Sequence, residues 1–562
     1  MVALMSMVCR PVLSASWQPD SQAQSTLRKC PITDFYCLYN ADILFSTAKN
    51  VYPVRNQLKP GNRRNPQPPD LPPLKIQKLP MYLTNKTKII ATIGPSCQTD
   101  EKIEELVEAG MDVARINLSH GNHDSHTQAI ESVKKARQKT GRKTALLLDT
   151  RGPEIRVGEL GKGRLLKERD TVIFSSSQES GPNATTVNYA GFADDVSVDD
   201  FILLDDGKMR LQVTATDDDT VTARVLVGGL LHSRKRVSLP DISVNLPSIT
   251  EEDRRDIIFG VEQEVDFIAA SFVRKADDVM VVRQLIDELG GNQAIIAKIE
   301  NRQGVENLDE ILAAADGLMV ARGDLGVEMP AEEVPIIQKM IIRAANIVGK
   351  PVITATQMLE SMISSPTPTR AEASDVTNAI FDGTDAVMLS GETAVGSYPR
   401  EAVLFLAKTA RISEAALDYE SILADGLRRR RQVIADAISY ASCATAADLS
   451  AAAIIVVTTS GSTALRVARY RPKAPIIAFS PVETSLRKLQ LVRGVIPRSC
   501  SSYKSLSEQV SHVIREALQA ELIAFGDRVV ITAGLPLHTA GTTNTLKVLR
   551  IDENYLREPD RR

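Results

Sequence analysis

Eight short apolar runs, most followed by an amphipathic stretch, constrain this chain more than any other feature of its 562 residues. They lie at 86–94, 112–119, 144–150, 266–272, 294–300, 317–323, 351–356 and 386–391. A short continuous apolar run reads as a strand buried on both faces, which parallel sheets with helical crossovers require. After the first run, "DEKIEELVEAG" sets Ile103, Leu106 and Val107 at helical spacing, with Asp100 to cap its start and Gly110 to end it. "MPAEEVPIIQKMIIRAANIVGK" does the same after the sixth. Eight such strands with crossovers count out a (β/α)₈ TIM barrel.

The rhythm stops between about 157 and 243, where "KERDTVIFSSS", "TVTARVLVGG" and "HSRKRVSLP" are separated by turn residues. That predicts a small β domain, a β-barrel cap, inserted after the third barrel strand, with "LLDDGKMRL" near its middle. From about 425, "AAIIVV", "APIIAFS", "RVVITAG" and "LKVLRID" alternate with helical segments, as in a doubly wound α/β domain. The expected division is 81–157 plus 243–420 for the barrel, 158–242 for the cap and 421–562 for the C-terminal domain. Arg428 to Arg431 reads as a solvated or interdomain face rather than a nucleic-acid patch.

Residues 1–80 carry ten Lys/Arg, four Asp and no Glu, leaving the remainder at net −9. An acidic body argues against nucleic acid as the main partner. The basic, acid-poor start, with eight prolines in 51–80, reads as a transit peptide and Pro-rich linker. Chloroplast and mitochondrial signals share that composition, and so does a disordered cytosolic tail. The six cysteines form no CxxC pair, so neither a disulfide framework nor a zinc site is expected, and no apolar run is long enough for a membrane helix.

In such barrels the C-terminal strand ends form the active site. "IIAKIENRQG" ends the fifth strand with Lys298 and Glu300, which share one face because side chains alternate. The second strand ends with Arg115, Asn117, Ser119 and His120; the third with Asp149, Thr150, Glu154 and Arg156; the sixth with Arg322, Gly323 and Asp324; the seventh with Thr356. A Lys–Glu pair is usually a surface pair worth little. Asp324 between glycines would ordinarily be turn chemistry. Their convergence on one rim argues otherwise. Glu300 and Asp324 suit Mg²⁺ or Mn²⁺, which keep waters and take substrate oxygens. An ammonium beside a metal makes sense around a phosphoryl group or an enolate oxygen. Arg115 and Arg156 offer forks for phosphate oxygens. Asn117, Ser119, Asp149 and Thr150 would form a cage for a monovalent cation.

Together "KTKIIATIGPSC", "ARINLSHG", "DTRGPEIR", "AKIEN", "ARGDLGVE", "ATQMLESM" and "DGTDAVMLSGETAVGSYP" resemble pyruvate kinase, over roughly 84–560 and in the same domain order. With its transit-like start the chain resembles a plastid-type form, which implies the plastid (chloroplast) stroma, with the mitochondrion as the alternative. The resemblance implies transfer of phosphate from phosphoenolpyruvate to ADP, with Mg²⁺ (or Mn²⁺) and K⁺, in a homo- or hetero-tetramer. It implies Lys298, Thr356 and Arg115 as catalytic residues. The substrate would meet Arg115, Lys298, Thr356 and the segment Ala321, Arg322, Gly323 and Asp324, whose backbone would seat its carboxylate. Glu300 and Asp324 would hold the divalent metal, and Asn117, Ser119, Asp149 and Thr150 would ligate K⁺, with Glu154 accompanying a potassium requirement. Arg156, His120, Asn117 and Asp206 would serve the nucleotide, Asp206 swinging in on the cap. No GxxxxGK[ST] motif is present to hold nucleotide otherwise.

In the C-terminal region Thr458, Thr459, Ser460, Gly461, Ser462 and Thr463 make either a phosphate loop or a well-capped helix start. The loop "AGLPLHTAGTTNTLKV", matched to the family's effector loop, has neither Trp nor Arg, against activation by fructose 1,6-bisphosphate. A metal-dependent enolate lyase or aldolase, and a non-catalytic regulatory subunit, are the alternatives. Lys298→Met is expected to abolish turnover while leaving folding and metal binding nearly intact.

Overall fold

A computed structural model of the chain describes residues 85–176, 184–242, 244–502, 505–536 and 542–556. The expected transit peptide and linker, 1–80, lie outside these residues. Eight parallel strands close into a barrel: β1 (Lys88–Thr92), β2 (Val113–Asn117), β3 (Ala145–Asp149), β4 (Phe267–Ala270), β5 (Ala294–Ile299), β6 (Gly317–Ala321), β7 (Val352–Ala355) and β8 (Ala386–Leu389). Each pairs with its neighbours in sequence, and β1 closes on β8.

Side-chain alternation divides each strand between two cores. Ile90, Val113, Leu147, Ala269, Ile296 and Met319 fill the barrel interior. Their sequence neighbours, such as Ile89, Ala114, Leu148, Ile268 and Ile295, pack outward against the helices. The helices end by ordinary chemistry. Gly110 closes Asp100–Ala109 at φ +124, while the N-cap is Thr99, whose hydroxyl accepts from the Lys102 N–H at 3.4 Å. Asp100 therefore sits in the first turn, a position that also favours a carboxylate. "RGDLGVE" is no glycine turn: Arg322–Glu328 is a short helix that begins as β6 ends. Val334–Val348 then follows and stops at Gly349.

The chain leaves the barrel after β3 and forms a seven-stranded sheet and a two-stranded ribbon before returning to it. That sheet has its own core, including Phe174, Phe192, Ile202, Leu211 and Val221. Gly152 sits in the outgoing hinge at φ +76. A Cβ there would come within 2.7 Å of Phe272 and 2.8 Å of Ser271, so both backbone and space demand glycine.

The C-terminal sheet orders Val495–Ser499, Ile476–Ser480, Ala453–Val457, Arg528–Gly534 and Thr543–Arg550, the last antiparallel. It seals the base of the barrel. Leu491 joins the interior cluster, Lys88 Nζ donates to the Val495 carbonyl at 2.8 Å, and Arg487 pairs with Asp266 at 2.7 Å.

Candidate active site at the barrel rim

The period-two rule that fills the barrel also builds its upper layer. Two residues beyond interior Val113, Leu147, Ala269 and Ile296 stand Arg115, Asp149, Ser271 and Lys298. These meet. Lys298 Nζ lies 3.0 Å from Asp149 Oδ1, 3.0 Å from Glu300 Oε1 and 2.6 Å from Ser271 Oγ. Arg115 Nε donates to Asp149 Oδ2 at 2.7 Å, and its Nη1 to the Thr92 hydroxyl at 2.9 Å. All are buried, Glu300 completely.

Such burial ordinarily drives a lysine neutral. Here burial pulls Lys298 down, but Asp149, then Glu300 and Asp324, outweigh it and hold the ammonium above its ordinary value. Burial would likewise raise Asp149, yet Lys298 and Arg115 keep its carboxyl below the usual range. Glu300 goes the other way: burial pushes its carboxyl up, against Lys298 and with Asp324 adding. The Phe272 N–H donates to Glu300 Oε2 at 2.5 Å. Glu300 Oε1 is ion-paired with Lys298 yet makes no aligned hydrogen bond.

Asp324, at the start of the 322–328 helix, keeps a third of its side chain exposed and pairs with Arg236 from the inserted sheet. Arg236 also reaches Glu328 at 3.3 Å and lies 4.7 Å over the Phe272 ring. Glu300 and Asp324 therefore fit a divalent ion that takes few protein ligands: one has an unaligned buried oxygen, the other is open to solvent. Among the described residues no group of three or more His, Cys, Asp or Glu is arranged to hold a metal.

The remaining predicted residues divide. Asn117 Oδ1 accepts the Ser119 N–H at 3.2 Å, and β2 pairs Asn117 with Asp149 across the strands. Thr150 Oγ1 lies 3.3 Å from the Ala269 carbonyl, and the Thr150 carbonyl accepts from Ser271 Oγ at 2.7 Å. His120 and Ser119 are exposed. Thr356 Oγ1 accepts the Gly323 N–H at 2.8 Å, whereas the Arg322 guanidinium is engaged by protein carbonyls and Asp375. Arg156 is exposed on the inserted domain, paired with Glu154 and donating to the Arg234 carbonyl at 2.9 Å. Asp206 is exposed at a turn in which 205–207 all have positive φ. Its neighbour Asp205 makes the ion pairs, with Lys235 at 2.7 Å and Lys208 at 3.1 Å. A cavity of about 220 Å³ adjoins the rim, lined by Glu154, Arg236, Phe272, Arg274, Arg302 and Glu328, but by neither Lys298 nor Arg115.

Ser271, Thr92, Phe272 and Arg236 were not predicted. Ser271 and Thr92 obey the same alternation as Lys298 and were legible from it. Arg236 was not, because it enters from the inserted sheet. In the C-terminal domain, the Thr458 hydroxyl accepts the Gly461 N–H at 3.0 Å and the Thr463 and Thr543 hydroxyls are 2.8 Å apart. Thr459 accepts from Ser480 at 3.2 Å, and Ser462 begins a helix that ends at Ala468. Ser460 lies in the turn between. Residues 537–541 of the facing loop fall outside the described residues.

Comparison with known proteins finds relatives over most of the chain. A family model described as "Pyruvate kinase, barrel domain" matches residues 84–403, and one described as "Pyruvate kinase, alpha/beta domain" matches 436–549. Pyruvate kinase of Geobacillus stearothermophilus is 51% identical over 83% of this chain and 80% of its own. That of Clostridium acetobutylicum is 46% identical over 82% and 99%, and that of Bacillus licheniformis 49% over 82% and 80%. These relatives are bacterial, and they correct the expectation of a plastid-type form in the plastid stroma or the mitochondrion. A basic, acid-poor, proline-rich composition describes how a segment meets water, not the compartment in which a chain works.

Proposed function

The chain belongs to the pyruvate kinase family, and on that premise we propose how its rim moves a phosphoryl group from phosphoenolpyruvate to ADP, giving pyruvate and ATP. The observation that carries the reading is the buried ammonium of Lys298, 3.0 Å from both Asp149 and Glu300 at the top of the barrel. The ester P–O bond of phosphoenolpyruvate breaks, an oxygen of the terminal ADP phosphate bonds to phosphorus, and the enolate left behind takes a proton at its methylene carbon. Lys298 faces the phosphoryl group in flight and then the enolate oxygen, the two places where negative charge develops. Arg115, fixed by Asp149 and Thr92, grips the phosphate. The backbone of Ala321 to Asp324 seats the substrate carboxylate, and Thr356 lies on the path of the proton.

Glu300 and Asp324 would hold Mg²⁺ or Mn²⁺, which when bound would supply Lewis-acid charge to the phosphoryl oxygens. Asn117, Ser119, Asp149 and Thr150 would hold K⁺, and Glu154 would go with that requirement. The inserted domain, 158–242, acts as a lid, bringing Asp206 to the nucleotide beside Arg156, His120 and Asn117, and closure excludes water. The assembly is a tetramer. What supports it is exposed apolar side chains on three barrel helices: Ile336 (60%), Ile412 (58%) and Phe381 (49%). Sedimentation of the full chain tests it, and a monomer at working concentration would exclude it.

The site is tested by pyruvate formation from phosphoenolpyruvate and ADP, with Mg²⁺ and K⁺ each supplied or withheld. Turnover that needs both fits the two cation sites. Turnover without K⁺ would discard the role given to Asn117, Ser119, Asp149 and Thr150, and turnover without a divalent ion would discard that of Glu300 and Asp324.

A further inference from the structure

Thr356 and Gln357 follow β7 with φ of +65° and +54°. Left-handed backbone is unfavourable for most side chains and a true outlier for a β-branched one, so a threonine persists there only if its surroundings impose it. One side chain contacts all three carbonyls of the turn. Arg322 Nη2 donates to the Thr356 carbonyl at 2.6 Å and the Gln357 carbonyl at 3.2 Å, and Nε to the Ala355 carbonyl at 3.3 Å. The other arm is anchored: Nη1 donates to Asp375 Oδ2 at 2.7 Å and to Gln338 Oε1 at 3.4 Å. The planar fork thus reads three successive carbonyls while a carboxylate fixes its far side. The turn it holds aims the Thr356 hydroxyl at the Gly323 N–H, 2.8 Å away, at the start of the helix that carries Asp324.

We infer that Arg322 is a positioning residue: its guanidinium holds the strained 355–357 turn so that the Thr356 hydroxyl stands at the point of proton delivery, and it does not itself bind substrate. The inference rests on the reading of Thr356 given above. It assigns the Arg322 side chain a duty different from the one expected of substrate-contacting residues, leaving only its backbone for the substrate. A lysine could keep the contact with Asp375 but, as a point charge, could not serve three carbonyls in a plane.

The test follows deuterium from solvent into the methyl group of pyruvate by NMR, on the full chain with Mg²⁺, K⁺ and inorganic phosphate. In that exchange a proton leaves the methyl carbon to give the enolate and a deuteron returns. Arg322→Met is expected to slow exchange and kcat together, by up to ~10²-fold as for a group displaced by about an ångström, with KM for ADP unchanged. Arg322→Lys, which keeps the charge against Asp375, is expected to fall between Arg322→Met and the natural chain. In a Thr356→Ala background the change to Met is expected to slow exchange no further, an outcome that a purely structural role would not give. Normal exchange in folded Arg322→Met, or an undiminished further loss on top of Thr356→Ala, would overturn the proposal while leaving Thr356 in place. Normal exchange in Thr356→Ala alone would remove Thr356 from proton delivery and this proposal with it.

Discussion

A buried lysine at the rim of the barrel and a half-buried one at its base are pushed in opposite directions. At the rim, Lys298 is held charged by Asp149, Glu300 and Asp324 against the pull of burial. At the base, burial lowers Lys86 to about 7, Arg493 adds to the effect, and Glu414 only partly opposes it. The partners differ in kind. Lys298 faces carboxylates, whose charge can be exchanged for that of phosphoryl oxygens. Lys86 faces the Tyr419 hydroxyl at 3.0 Å and the carbonyls of Pro472 and Lys473 at 3.3 and 2.5 Å, all neutral groups that join the barrel to the C-terminal domain. One end is arranged around a charge awaiting a ligand; the other is closed over by apolar Leu491, backbone carbonyls and the Arg487–Asp266 ion pair. Barrels of this architecture separate chemistry and stability in that way.

The contrast is broken most severely at the rim. Lys298→Met is expected to lower kcat about 10³-fold or more, the scale of a cation that stabilises a phosphoryl transition state. The structure corrects the expectation that such a variant folds nearly undisturbed. Glu300 would be left buried without its cation, and Asp149 with Arg115 alone, at a cost of about 3–5 kcal/mol, and urea unfolding beside the turnover assay checks both. Leu491→Ala should do the reverse: a loss of about 2–5 kcal/mol from the cavity at the base, with kcat per folded molecule unchanged. A large fall in kcat from this change would show that the two ends are not separable.

Arg236→Gln sharpens the rim itself. Arg236 is the cation now paired with Asp324 and Glu328, so it competes with any metal for Asp324. Removing it should tighten Mn²⁺ binding, measured without substrate, by roughly tenfold, within the range of close charge pairs. Weaker binding would mean that Arg236 supports the metal site. The smallest effect belongs to Lys86. Its folded value, about 7, lies below its ordinary 10.5, so the unfolded chain binds more protons between the two. Stability should therefore rise as pH increases from about 7 toward 10. Lys86→Met should flatten that rise in the urea midpoint, and an unchanged slope would place the titration elsewhere.

What was legible in the sequence follows from which contacts are local. The barrel strands and the inward direction of Arg115, Asp149 and Lys298 come from alternation within single runs, and the structure brings these three together. Ser271 obeys the same alternation and was missed only because its strand end was read as apolar. The cap on Asp100–Ala109 shifted by one residue because Thr99 and Asp100 both suit that end. The 322–328 helix was hidden by its two glycines, which ordinarily argue for a turn. Arg236 and the grip of Arg322 on 355–357 depend on chain brought from elsewhere in the fold, and no spacing announces them. Composition was a poor guide to location, as the bacterial relatives show.

The claim at the centre is that the inner face of β5 carries an ammonium and a metal-binding carboxylate side by side. The most direct measurement is a titration of the full chain and its Glu300→Gln variant with Mn²⁺, followed by electron paramagnetic resonance without substrate or nucleotide. The account predicts one bound ion in the natural chain and a loss of binding in the variant, which keeps the shape of the side chain and removes its charge. Equal binding by both would contradict it.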